Sequence, residues 1–145
     1  MISLLHLKSW QSFGAGINIL VNDGGAPARI MKVANAGADI DAGTFVKFDS
    51  ANVVVCSDDL PTQSNAIGVL FVDATSGDPA SVITGSGLIV FLKADSGAIG
   101  AGNNLSHSNA GLAKNAGIAA GDQRLAVALE DKGATHTGFV KAILL

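Results

Sequence analysis

Chemistry at a protein site needs a nucleophile with a base, a pair of carboxylates, a cluster of metal ligands or a phosphate cradle, and the sequence holds fragments of each without assembling any. Its three histidines, His6, His107 and His136, stand far apart, and none lies at an HxH or HxxxH spacing that would turn two imidazoles toward one cation. They read as surface or loop residues. Cys56 is the only cysteine, which excludes an intrachain disulfide and a thiolate metal cluster. It closes the run Val53-Val54-Val55-Cys56, where a small apolar residue is expected to be buried and inert.

Ser86 sits in Thr84-Gly85-Ser86-Gly87, whose glycines touch the serine directly and so do not form the GxSxG elbow. A hairpin turn between two strands is the expectation there. Asp39-Ile40-Asp41-Ala42-Gly43 opens like a calcium loop, but the sixth position holds Thr44 where glycine is needed, and the twelfth holds Ser50 where a bidentate Glu is needed. Gly97, Gly100 and Gly102 continue into Asn103-Asn104-Leu105 without the helix or lysine that a phosphate loop requires. Asp58 and Asp59 are neighbours just before Leu60-Pro61. Adjacent side chains point to opposite sides of a strand, so the pair reads as a solvated loop, not as an acid and its base. No catalytic group, metal or cofactor is expected, and the chain reads as a non-enzyme.

The elements around these residues are short. From residue 28 onward, β-rich runs alternate with Gly, Asn, Asp and Ser at the spacing of a small barrel or sandwich. Strands are expected over 28–33, 44–48, 53–57, 66–72, 81–84, 88–94, 104–107, 125–129 and 138–144. Residues 122–132 could also place Leu125, Ala128 and Leu129 on one helical face. An internal repeat favours strand. Ile40-Asp41-Ala42-Gly43 followed by Val46 and Phe48 is matched by Ile99-Gly100-Ala101-Gly102 followed by Leu105 and His107, an offset of 59 residues. Ile67-Gly68-Val69 with Asp73 is matched by Leu125-Ala126-Val127 with Asp131, an offset of 58. The expected architecture is an all-β domain over 28–145, barrel-like or sandwich-like, with two similar halves. Residues 1–27 lack a period, carry a turn at Asn22-Asp23-Gly24-Gly25, and read as an extended N-terminal arm too poor in core to fold by itself.

Composition narrows the partners. The 145 residues are 48% hydrophobic and only 14% charged, well short of the roughly 25% charged share usual in soluble domains. A surface so short of charge exposes apolar and small uncharged groups, and such patches mark contacts with other subunits. The net charge of −3 and the scattered basic residues provide no footprint for nucleic acid. No apolar run reaches the roughly 18 residues of a membrane-spanning helix, and the N-terminus lacks a basic region ahead of an apolar one. The chain is therefore expected to be made in the cytoplasm, soluble and unprocessed, with neither nucleic acid nor membrane as partner.

One family fits this pattern. Ala42-Gly43-Thr44-Phe45-Val46, Ala66-Ile67-Gly68-Val69, Ser81-Val82-Ile83 leading to Gly87-Leu88-Ile89-Val90, Ala98-Ile99-Gly100-Ala101-Gly102, Leu125-Ala126-Val127-Ala128-Leu129-Glu130-Asp131 and Phe139-Val140-Lys141-Ala142-Ile143 together resemble the capsid cement, or head decoration, proteins of tailed bacteriophages. The resemblance covers about three quarters of the chain and leaves the first 27 residues outside. It implies a barrel-like protomer that assembles with itself, as a trimer more than a dimer, on the exterior of the virion capsid, where it binds the major capsid protein. On that reading the arm residues Ile2, Leu4, Leu5, Leu7, Trp10, Phe13, Ile17 and Ile19 are the expected partner contacts, with Trp10 as anchor or, alternatively, packed on its own barrel. The alternatives to a cement protein are another phage or bacterial structural module (tail, baseplate or surface-layer subunit) and, more remotely, a barrel-type enzyme or ligand binder.

Overall fold

The computed structural model describes residues 19–20, 29–56, 65–116, 123–134 and 138–145. Among these residues there is no helix, and ten strands account for the regular structure. The first five are β1 (Arg29–Asn35), β2 (Phe45–Asp49), β3 (Asn52–Val55), β4 (Gly68–Leu70) and β5 (Pro79–Thr84). The second five are β6 (Ile89–Ala94), β7 (Asn104–His107), β8 (Ala113–Asn115), β9 (Ala126–Ala128) and β10 (Gly138–Leu144).

The repeat read from the sequence is a repeat of topology. The first sheet runs β1-β5-β4-β2-β3, and the second runs β6-β10-β9-β7-β8 and closes into a barrel where β8 meets β6 in parallel at Ala113 and Ala94. The first sheet curls in the same sense: Ala36 and Val53 form one parallel bridge between the end of β1 and β3. The details match as well. Ile40 bridges Ala74 and Ile99 bridges Lys132. Asp73 Oδ1 accepts from the Ala42 N–H at 2.7 Å, and Asp131 Oδ1 accepts from the Ala101 N–H at 2.8 Å. Gly43 and Gly102 take the turn between these points with φ of 86° and 84°, a left-handed conformation that glycine adopts without a Cβ penalty.

Side-chain alternation places the cores. Along β6, Val90, Leu92 and Ala94 point inward while Phe91 and Lys93 stay half-buried outside. The first half fills its interior with Ala36, Ile40, Val46, Val53, Leu70, Ala80 and Val82. Its opposite face, carrying Phe45, Cys56, Val69 and Ile83, belongs to the larger cluster formed with the second barrel. The two halves therefore share apolar packing, at about 1.5–3 kcal/mol for each fully buried large aliphatic side chain. Main-chain bonds stitch the same junction: Phe45 N–H to Gly111 O at 2.8 Å and Lys93 N–H to Gly43 O at 2.9 Å.

Three expectations are corrected. Residues 84–87 are not a hairpin turn, because β5 pairs with β1 and β4 whereas β6 pairs with β10 and β8, so the segment is the link between the halves. Strand β8 was not expected, since Ala113-Lys114-Asn115 contains no β-branched or aromatic residue, and pairing with β7 rather than propensity makes it a strand. Ile19, expected as a contact with another subunit, is instead fully buried in this chain's own core. Its carbonyl accepts from Phe91 N–H at 2.7 Å, and Leu20 forms an antiparallel bridge with Val90. Ile2, Leu4, Leu5, Leu7, Trp10, Phe13 and Ile17 lie outside the described residues.

Candidate functional site

The residues that could have carried chemistry are used as structural fittings. Asp39 Oδ1 accepts from Ser76 N–H at 2.9 Å, and Asp41 forms an ion pair with Lys93. Asp73 and Asp131 hold the two Gly turns, as above. Gly100 N–H donates to Asn103 Oδ1 at 2.6 Å, which caps a turn and presents no row of free N–H groups to a phosphate. His107, expected at the surface or in a loop, is instead buried on β7, with Nδ1 3.1 Å from Ser108 O and its ring tilted against Phe45. His6, His136, Asp58 and Asp59 lie outside the described residues. Among the described residues no three His, Cys, Asp or Glu side chains gather as metal ligands.

Cys56 is buried at the junction of the halves, and burial pushes its thiol from near 9 up to about 12, with Lys47 pulling slightly the other way. At pH 8 only roughly one thiol in ten thousand is then ionised. A maleimide or disulfide reagent at pH 8 is expected to leave the folded chain unmodified over the minutes in which the urea-unfolded chain reacts fully. Because the folded pKa exceeds the unfolded one, the stability due to the neutral thiol is fully present below about pH 9 and is lost as the pH rises toward 12. The urea midpoint of the wild type is thus expected to fall more between pH 8 and 10.5 than that of Cys56→Ala.

Lys132 is a residue the sequence reading missed. It is 7% exposed, and its Nζ donates to Gly97 O at 2.8 Å and Gly133 O at 3.2 Å, pinning two loops of the second barrel. A lone lysine between turn residues carries no sequence signal for such burial. Two clefts among the described residues bring together no titratable side chains. One of about 230 Å³ between the halves is lined by Phe45, Ile67, Val69, Ile83, Leu125, Leu144 and neighbours, and its only side-chain polar groups are the hydroxyls of Thr84 and Ser86. Another, beside Gly102, is lined by Asn103, Asn104 and Asn115, where Asn115 Nδ2 is engaged with Ala98 O at 2.6 Å.

What the described surface does offer is apolar area. Ile30, Met31, Phe48, Val72, Leu129 and Leu145 are each more than two-fifths exposed. A curled sheet packed on a closed barrel, with its carboxylates tied up in turns and large apolar side chains shown outside, defines a structural protein of the binding kind. The chain belongs to the phage cement protein family, whose model matches residues 26–144. It is thus a structural protein associated with a phage capsid. The fold is also that of the N base of the head fiber gp8.5 of bacteriophage phi29, at a TM-score of 0.60 and 15% identity, covering 82% of this chain and 93% of that one. No curated protein matches the chain in sequence.

Proposed function

We propose that the protein binds the outer surface of its phage's major capsid protein shell and stabilises the head, acting as a homo-oligomer, with a trimer favoured over a dimer, and with no catalytic activity or cofactor of its own. Family membership over residues 26–144 carries this reading. The physical support is the surface, which combines a 14% charged composition with exposed apolar side chains. Weak, largely uncharged contacts repeated over a lattice add up through avidity, so no single strong site is needed.

The segment ahead of Ile19 contributes the remaining contacts in this proposal, through Leu4, Leu5, Leu7, Trp10, Phe13 and Ile17, with Trp10 as anchor. The test is reconstitution with expanded shells of the major capsid protein. The full chain is expected to bind them and to raise the temperature at which they rupture, and indifference to shells would defeat the proposal. Removing residues 1–18, which spares the buried Ile19, is expected to weaken shell binding at least tenfold while leaving the fold's circular dichroism unchanged. Undiminished binding would take the arm out of the interface.

A further inference from the structure

Among the described residues, the two halves differ at the outer edge of their first strand. In the second half the backbone groups on the outer side of β6 are occupied: Phe91 N–H donates to Ile19 O, Lys93 N–H to Gly43 O and Asp95 N–H to Ala113 O. The counterpart strand β1 pairs with β5 on one side and, until the bridge at Ala36, with no strand on the other among the described residues.

The register shows which groups face out. Phe71 N–H donates to Ser81 O, so Ser81 and Ile83 turn toward β4, and alternation turns Val82 and Thr84 toward β1. Their partners Met31 and Arg29 therefore bond to β5, while the N–H and C=O groups of Ile30 and Lys32 point to the open edge. Residues Arg29 to Lys32 are all exposed, with Ile30 at 45% and Met31 at 43%. Lys32 stands at the repeat offset from Phe91, the residue whose N–H is met by the strand at Ile19.

We propose that the open edge of β1 accepts an added antiparallel strand from another protein, an extended segment that pairs apolar residues with Ile30 and Met31 and carboxylates with Arg29 and Lys32. The occupied edge of β6 shows the mode of pairing, with Leu20 antiparallel to Val90. Charge selects the occupant. Arg29 and Lys32 are basic, and their cross-strand neighbours on β5, Thr84 and Ser81, bring no compensating acid. A second copy's β1 would set basic residues against basic ones, and residues 1–20 contain Lys8 and His6 but no Asp or Glu. Like charges placed opposite each other across strands are destabilising, and opposite charges are stabilising. An acidic, apolar strand of a foreign chain is the complementary partner. Its apolar residues extend the cross-strand rows that end at Ile30 and Met31.

The test uses the full chain and three peptides: acetyl-Thr-Glu-Val-Val-Glu-Thr-amide, the same peptide with Lys for Glu, and a peptide of residues 1–20. The acidic peptide is expected to bind saturably and to slow amide hydrogen exchange at Ile30 and Lys32 at least fivefold, with exchange at Met31, already bonded to β5, changing little. The double variant Arg29→Glu/Lys32→Glu, at exposed positions that leave the fold unchanged, is expected to bind the acidic peptide at least tenfold more weakly and to prefer the lysine peptide. Absence of protection at Ile30 and Lys32 would overturn the proposal. Equal or better protection by the 1–20 peptide would overturn it too, assigning the edge to a second copy. No shell enters the experiment, so its result is independent of the capsid-binding proposal.

Discussion

Gly68→Ala is expected to destabilise the protein by about 3 kcal/mol or more and to lower soluble yield sharply. A Cβ at residue 68 would lie 2.2 Å from Ile83 O and 2.7 Å from Val82 Cγ1. The first of these atoms is backbone near the end of β5, held by pairing to β1 and β4, so it cannot swing aside as a flexible side chain would. Relief requires β4 to part from β5, which also unseats Val69 and Leu70, both fully buried and in different cores. Equilibrium urea unfolding measures the loss. Gly77→Ala provides the control, since its added methyl meets nothing within 4 Å although its φ is also positive, and a stability loss no larger for Gly68→Ala than for Gly77→Ala would refute the steric account.

The fold was legible in the sequence to the extent that local chemistry encoded it. Ala-Gly turns before strands, β-branched runs and the matched Asp73 and Asp131 revealed the two halves, because each signal arises from a few adjacent residues with one conformational demand. Only the repeat favours strand over helix at residues 125–129, where the structure forms β9 over Ala126–Ala128 and flanks it with Leu125 N–H bonded to Leu105 O and Leu129 N–H bonded to Lys141 O. Strand β8 and the burial of Lys132 were illegible, since both are set by distant partners and not by their own side chains. Ile19 was misjudged for the same reason. An apolar residue in an irregular segment looks identical in sequence whether its partner is another subunit or the edge of β6, and only the register of Phe91 decides. The candidate binding surface was legible as a deficit of charge but not as a place. The exposed positions of Ile30 and Met31 follow from β1 lying at the end of the sheet order, which no local pattern states.

Gly43 and Gly102 allow the junction between the halves to be weighed by itself, because the repeat gives them the same backbone and different surroundings. Both hold φ near +85°, so alanine at either site suffers the same left-handed penalty of about 1 kcal/mol, partly offset by the lower entropy of the unfolded chain. At Gly102 the new methyl meets nothing within 4 Å. At Gly43 it would sit 2.9 Å from Phe139 Cε1, 3.0 Å from Phe91 O and 3.1 Å from Lys93 N, all in the second barrel. Phe139 can tilt, but Phe91 O and Lys93 N are backbone, and Lys93 N–H is the group that Gly43 O accepts from. Gly102→Ala is therefore expected to cost about 1 kcal/mol and Gly43→Ala about 3 kcal/mol, the excess being the strain placed on the contact between the halves. Unfolding monitored separately through Cys56 labelling and circular dichroism distinguishes two outcomes of that strain. A single coincident transition in Gly43→Ala means the two halves still unfold together through their shared core. Early exposure of Cys56, which lies at the junction, means that the halves have come apart before either has melted.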